Sequence, residues 1–132
     1  MRLLKIADSI RVRLSRILSD SNSDDFIENI TIPSDILKDI KDNDAIEVKY
    51  GQWDDIDTYA RKGALGGNLL KSRYYNDFEN SGKPTSIIFE SKSTGRTIMI
   101  TSKGIIIFYG KNLTHEEVED YIIQQIIPRL SL

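Results

Sequence analysis

Apolar and polar positions follow two rhythms along this chain. Three short runs are rich in β-branched and aromatic residues: Ser86-Ile87-Ile88-Phe89-Glu90-Ser91, Thr97-Ile98-Met99-Ile100-Thr101 and Ile105-Ile106-Ile107-Phe108-Tyr109. Ser93-Thr94-Gly95-Arg96 separates the first two, and Lys103-Gly104 fits a two-residue hairpin turn because Gly tolerates a positive φ. The pattern predicts a three-stranded antiparallel meander closed by Gly110. From Thr114 the rhythm becomes helical. Thr114 and Glu117 have the spacing of a capping box, and Leu113 can staple onto Val118. Val118, Tyr121, Ile122, Gln125 and Ile126 then share one face of a helix that Pro128 ends.

The N-terminal part is read in the same way. Leu3, Ala7, Ile10, Leu14 and Ile17 recur at spacings of four and three, which predicts an amphipathic helix over residues 1–19. Its polar face is basic, with Arg2, Lys5, Arg11, Arg13 and Arg16 against Asp8 alone. Residues 20–25 are polar and acidic and read as a linker, leaving residues 26–132 as one domain. Residues 26–32 alternate like a strand. Ser34 is placed to cap a short helix from Asp35 to about Lys41, Asn43-Asp44 reads as a turn, and residues 45–50 alternate again. Trp53, Ile56, Tyr59 and Ala60 have helical spacing, Gly63 to Gly67 reads as a turn, and residues 69–78 read as a strand. The Gly63, Gly66 and Gly67 spacing beside Arg61 and Lys62 matches neither the Walker motif nor the dinucleotide fingerprint.

The meander is apolar on both faces. If Ile98, Ile100, Ile106 and Phe108 point to one side, Met99, Thr101, Ile105, Ile107 and Tyr109 point to the other. The C-terminal helix covers one side only. A sheet wet on its second face alternates more cleanly, so this one predicts a cover: the N-terminal helix, a second subunit or a partner.

Composition narrows the chemistry. With 39% hydrophobic and 29% charged residues the chain is of globular type, and 132 residues suffice for one core. A net charge of −2 removes the global attraction that nonspecific nucleic-acid binders use, though a local basic patch could replace it. The sequence has no Cys and a single His, His115, which excludes disulfides and thiolate metal sites and nearly excludes His-based zinc sites. No cofactor and no metal is expected. No apolar run approaches a membrane span, and the default setting is cytoplasmic. Asp54, Asp55 and Asp57 form an acidic cluster that more often marks a helix start or solvated loop than a cation site. No enzyme signature is present, so the chain is read as non-catalytic.

The order of elements resembles one repeat of the TATA-box-binding protein family. Glu28-Asn29-Ile30 resembles the Gln-Asn-Ile that opens each repeat, Ile98-Met99-Ile100-Thr101-Ser102 resembles its Leu-Ile-Phe-x-Ser strand, and Gly104 to Gly110 followed by Thr114-His115-Glu116-Glu117 resembles the strand and acidic helix start after it. The resemblance covers residues 27–132 with an insertion between Pro33 and Asn68. It implies an α+β fold of helix-grip type, a curved antiparallel sheet with a long C-terminal helix packed on one face, to which the N-terminal amphipathic helix read from its own spacing is added. It also implies Asn29 as a minor-groove contact. Thr101 stands where the family places a wedging Phe, and the flanking basic residues are sparse, so DNA bending is not implied. A single repeat would need a homodimer to complete a saddle.

These readings lead to a homodimeric interaction module that docks a protein partner through the open sheet face or the N-terminal helix. The alternative is a DNA- or RNA-binding protein, with phosphate contacts from the basic helix and stacking from Tyr59, Tyr74 or Tyr75. A third reading is a small-ligand pocket between sheet and helix. The candidate contact residues are Asn29, Thr31, Met99, Thr101, Ile107, Tyr109, Arg11, Arg13 and Arg16.

Overall fold

The computed structural model describes residues 9–15, 31–54, 62–66 and 82–130. In chain order they form β1 (Ser9–Arg13), α1 (Ser34–Asp44), β2 (Ala45–Asp54), β3 (Lys62–Gly66), β4 (Lys83–Ser91), β5 (Thr97–Thr101), β6 (Ile105–Tyr109) and α2 (His115–Tyr121). The strands make one antiparallel sheet of order β1-β6-β5-β4-β2-β3, so the class is α+β.

The meander strands bury one face completely. Ile87, Phe89, Ile98, Ile100, Ile106 and Phe108 all have zero exposure. Against them α1 sets Leu37 and Ile40, and the C-terminal helical segment sets Val118, Tyr121, Ile122 and Ile126. The Phe108 and Tyr121 rings meet edge to face at 5.3 Å. Each such burial is worth roughly 1.5–3 kcal/mol, which makes this layer the source of the fold's stability.

The β5–β6 connection has three residues rather than two. Gly104 sits at φ 81°, its N–H donates to Thr101 O at 3.0 Å, and Ile105 N–H donates to Thr101 Oγ1 at 3.2 Å. This is the turn-plus-bulge form of hairpin, in which only the left-handed residue must be Gly.

The expected fold class is corrected at both ends of the chain. The N-terminal amphipathic helix expected over residues 1–19 is not evident: Ser9–Arg13 is an edge strand paired with β6 from Ser9↔Tyr109 to Arg13↔Ile105, and helical backbone is described there only at Leu14 and Ser15. Ile10 and Val12 alternate with Ser9, Arg11 and Arg13, so the same residues satisfy a period of two, and the open edge of β6 decides the matter. The long C-terminal helix is also absent. Regular α-helix covers only His115–Tyr121, then widens into a π turn over Ile122–Ile126 and tightens into a 3₁₀ turn over Ile127–Arg129, a 15-residue segment in all. Pro128 has no N–H to continue the ladder, and the β-branched pairs Ile122-Ile123 and Ile126-Ile127 are weak helix formers. The Thr114 cap itself is present, its side chain accepting from Glu117 N–H at 3.1 Å.

Smaller corrections follow. Helix α1 runs through Asp44 straight into β2, so Asn43-Asp44 is not a turn, and the cap position is Pro33, without a side-chain cap bond from Ser34. Trp53 belongs to β2 rather than a helix, and Gly63 and Gly66 belong to β3 rather than a turn. The expected linker at 20–25, residues 26–30 of the strand expected at 26–32, the helical spacing beyond Trp53 and the strand at 69–78 lie outside the described residues, while Thr31 and Ile32 of that expected strand are in no strand.

In β2, the Trp53 ring folds back over Gly51. A Cβ at Gly51 would come within 2.8 Å of Trp53 Cζ3 and closer still to Cη2. Gly51→Ala should therefore push a fully buried indole off its seat and cost about 1–3 kcal/mol, as overpacking does. A urea midpoint that equals that of the unsubstituted chain would refute this close approach.

Candidate interaction surface

Strand alternation sends every second side chain of the sheet away from the core. The pairing register arranges these residues in rows. The middle row crosses five strands: Arg11 lies opposite Ile107, Ile107 opposite Met99, Met99 opposite Ile88, and Ile88 opposite Tyr50. A second row runs Ser9, Tyr109, Thr97, Glu90, Glu47. A third carries Arg13 and Ile105 on one side and Thr101, Ser86 and Gln52 on the other, joined at the β5–β6 turn.

This second face is apolar in the middle and charged at its sides. Ile105, Ile107, Tyr109, Met99, Ile88 and Tyr50 are all half-buried, while Arg11 and Arg13 are exposed on β1. On the opposite side Glu47 and Glu90 are half-buried and lie directly across from each other, an unfavourable like-charge pair. Lys49, the extra residue of a β-bulge between Val48 and Tyr50, reaches over the face and donates to Thr97 Oγ1 at 3.4 Å. Among the described residues, Arg11, Arg13, Glu47 and Glu90 form no ion pair.

Six residues singled out in the sequence therefore meet on one face: Met99, Thr101, Ile107 and Tyr109, with Arg11 and Arg13. The two arginines reach it from a strand, not from the expected helix. Thr31 is exposed, and the next residue, Ile32, is buried and donates its N–H to Ser102 O in the β5–β6 turn, next to Thr101. Asn29, Arg16, Tyr59, Tyr74 and Tyr75 lie outside the described residues. Sequence reading missed Ile88, Tyr50, Glu47 and Glu90. Their signal was present in the alternation of residues 45–50 and 86–91, but which face they share depends on a bulged register.

A separate polar cluster sits at the far end of the sheet. Buried Asp44 accepts hydrogen bonds from Ser91 Oγ at 2.6 Å, Tyr121 OH at 2.7 Å and Ser93 N–H at 2.9 Å. Burial alone would raise the Asp44 pKa, yet the bonds from Ser91, Tyr121 and Ser93 outweigh it and hold the carboxyl below its ordinary range. The Tyr121 hydroxyl is pushed well above its ordinary value, first by burial and then by the bond to Asp44. Nearby, Arg96 grips Glu117 through Nε at 2.6 Å and Nη2 at 3.2 Å, and donates Nη1–H to Lys111 O at 2.7 Å. An open cleft of about 630 Å³ lies between the β4–β5 turn and the C-terminal helical segment. Tyr121 lines this cleft, and its hydroxyl is held by Asp44, whose own hydrogen bonds are all made within the protein. The cluster's work is to tie the end of α1, the β4–β5 turn and Tyr121 together.

The space between sheet and helices, where the small-ligand reading needs a pocket, is filled by side chains such as Phe108, Tyr121, Ile122 and Ile126. His115 is an exposed residue at the start of α2, and Asp54 ends β2, with Asp55 and Asp57 outside the described residues. Among the described residues no cluster of three or more His, Asp or Glu is placed to hold a metal ion. Among the same residues no helix is long and apolar enough to cross a membrane. No family model matches the sequence, and no curated protein and no solved structure matches it either.

Proposed function

We propose that this chain is a non-catalytic interaction module that docks a protein partner through the second face of its sheet. The observation that supports the reading is the apolar row Ile107-Met99-Ile88-Tyr50, which crosses four strands behind a core that is already complete. Half-buried side chains of this size gain by further burial, and a contiguous apolar patch framed by charge is how docking surfaces are built. The reading places the module in the cytoplasm.

The test compares tagged chain with the variant Met99→Asp/Ile107→Asp in lysate of cells that also make untagged chain. Proteins retained by the first, untagged copies included, should be lost from the second, while circular dichroism shows both folded. Retention of the same proteins by the variant would remove the second face as the docking site.

A nucleic-acid reading has one observation in its favour: Arg11 lies diagonally across from Tyr109 on the same sheet face, with Arg13 two residues further along β1, a grouping of phosphate contacts and stacking platform. It predicts binding to single-stranded oligonucleotides that falls steeply with salt. Protein docking through the apolar row predicts a shallow dependence.

A further inference from the structure

We infer that the occupant of the second face is a second copy of this chain, packed face to face about a two-fold axis parallel to the strands. The inference rests on the docking role proposed above and names the partner. Its basis is that the face is complementary to itself, in shape of pattern and in charge.

Two sheets that pack face to face keep their strands within about 30° of each other. A two-fold axis parallel to the strands through β5 then lays β1 of one copy over β2 of the other and leaves the rows in register. In the middle row, Met99 meets Met99 on the axis, Ile107 meets Ile88, and the Arg11 guanidinium lies over the Tyr50 ring, a favourable cation–π placement. In the adjoining row Tyr109 lies over Glu90, so its hydroxyl can donate to that carboxylate, and Ser9 lies over Glu47. Arg11 of each copy thus lies one row from Glu47 and Glu90 of the other, within reach of its long side chain, and Arg13 lies a further row away. Among the described residues, β3 reaches only to Gly66 opposite Tyr50, and β2 is outermost in the Glu47 row. Each copy sets its basic edge strand β1 over the glutamate-bearing strand β2 of the other, twice over by symmetry.

The perpendicular alternative fails on charge. It would place β1 over β1 and Arg11 over Arg11, with Glu47 far from either arginine. Only the parallel axis gives the unpaired Glu47 and Glu90 a cationic neighbour beyond Lys49. The patch is small, roughly 20–25 Å across five strands and about 15–17 Å along them. That is a footprint of roughly 300–425 Å² per copy, below the size of stable specific interfaces, and it predicts a weak, transient dimer of micromolar or lower affinity rather than an obligate one.

Sedimentation equilibrium of the full chain between 1 and about 200 μM, at low salt, should show a monomer–dimer equilibrium across the micromolar range expected for so small a patch. Arg11→Glu/Arg13→Glu should weaken it by about tenfold or more, and Glu47→Lys/Glu90→Lys likewise, since each brings like charges together. All four substitutions in one chain should restore it, because the reversed charges still face each other. A Met99→Cys chain, whose thiol would be the only one, should be linked to itself by a short bismaleimide, whereas Glu119→Cys, exposed on α2 across the sheet from this face, should not. A chain that stays monomeric throughout overturns the inference. So does a dimer indifferent to the acidic pair, a quadruple variant that fails to recover while folded, or equal linking through Glu119→Cys. Partner loss from the Met99→Asp/Ile107→Asp variant with a monomeric parent chain would retain the docking role and reject the second copy alone.

Discussion

Phe108→Ala should lower the stability of the fold by about 3–5 kcal/mol, whereas Ile107→Ala, one residue away, should lower it by far less. Phe108 has zero exposure, stands edge-on to Tyr121, and is paired with Ile10 and Ile98 in the fully covered layer. Truncation there removes the ring's transfer energy and leaves a cavity that rigid strands on both sides cannot close. Ile107 points the other way and is half-buried, so its truncation in the isolated chain opens no cavity. Total stabilities of small domains are about 5–15 kcal/mol, so the first substitution threatens folding and the second does not. Urea unfolding at low protein concentration checks both. Equal losses would mean that the two faces are not distinct, and the case for a docking surface would go with them.

Asp44→Ala should cost about 3 kcal/mol at neutral pH, because it leaves the Ser91 and Tyr121 hydroxyls and the Ser93 N–H without their acceptor in a buried place. The pH dependence has a definite sign. The folded-state pKa of Asp44 lies below its unfolded value, so its ionisation favours the fold. That contribution is fully present above the unfolded value of about 3.9 and is lost as pH falls through the lower folded value. Comparing melting temperatures of the unsubstituted chain and Asp44→Asn from pH 7 down to pH 2 should show a gap that narrows only below about pH 4. A gap independent of pH would mean that the carboxylate charge contributes nothing there.

What could be read from the sequence was local. The runs around Ile98 and Ile106 are β-branched, short and bounded by Gly, and no competing period fits them. The Thr114 cap needs only residues three apart. Residues 9–13 were ambiguous in principle: Ile10 and Leu14 fit a helical seam with Leu3 and Ala7, while Ile10 and Val12 fit a strand. Only pairing with β6, nearly a hundred residues later in the chain, distinguishes them. Asp44 looked like half of a turn because its partner Tyr121 is 77 residues away, and no local pattern announces a buried carboxylate. The same holds for the second face. Its apolar members in β5 and β6 were legible from alternation, and the two arginines were legible as basic residues. Their union with Ile88, Tyr50, Glu47 and Glu90 depends on strand order and on the bulge at Lys49, which are properties of the assembled sheet.

Methyl NMR in a dilution series of the intact chain tests the second face as a contact surface most directly. Isoleucine and methionine methyls report on both sides of the sheet at once. Between low micromolar and several hundred micromolar, on the order of the range expected for a small interface, the signals of Ile88, Met99, Ile105 and Ile107 should move together. Those of Ile87, Ile98, Ile100 and Ile106 should stay in place. Movement confined to the helices, or signals of Ile88, Met99 and Ile107 that stay fixed while the chain associates, would contradict the assignment.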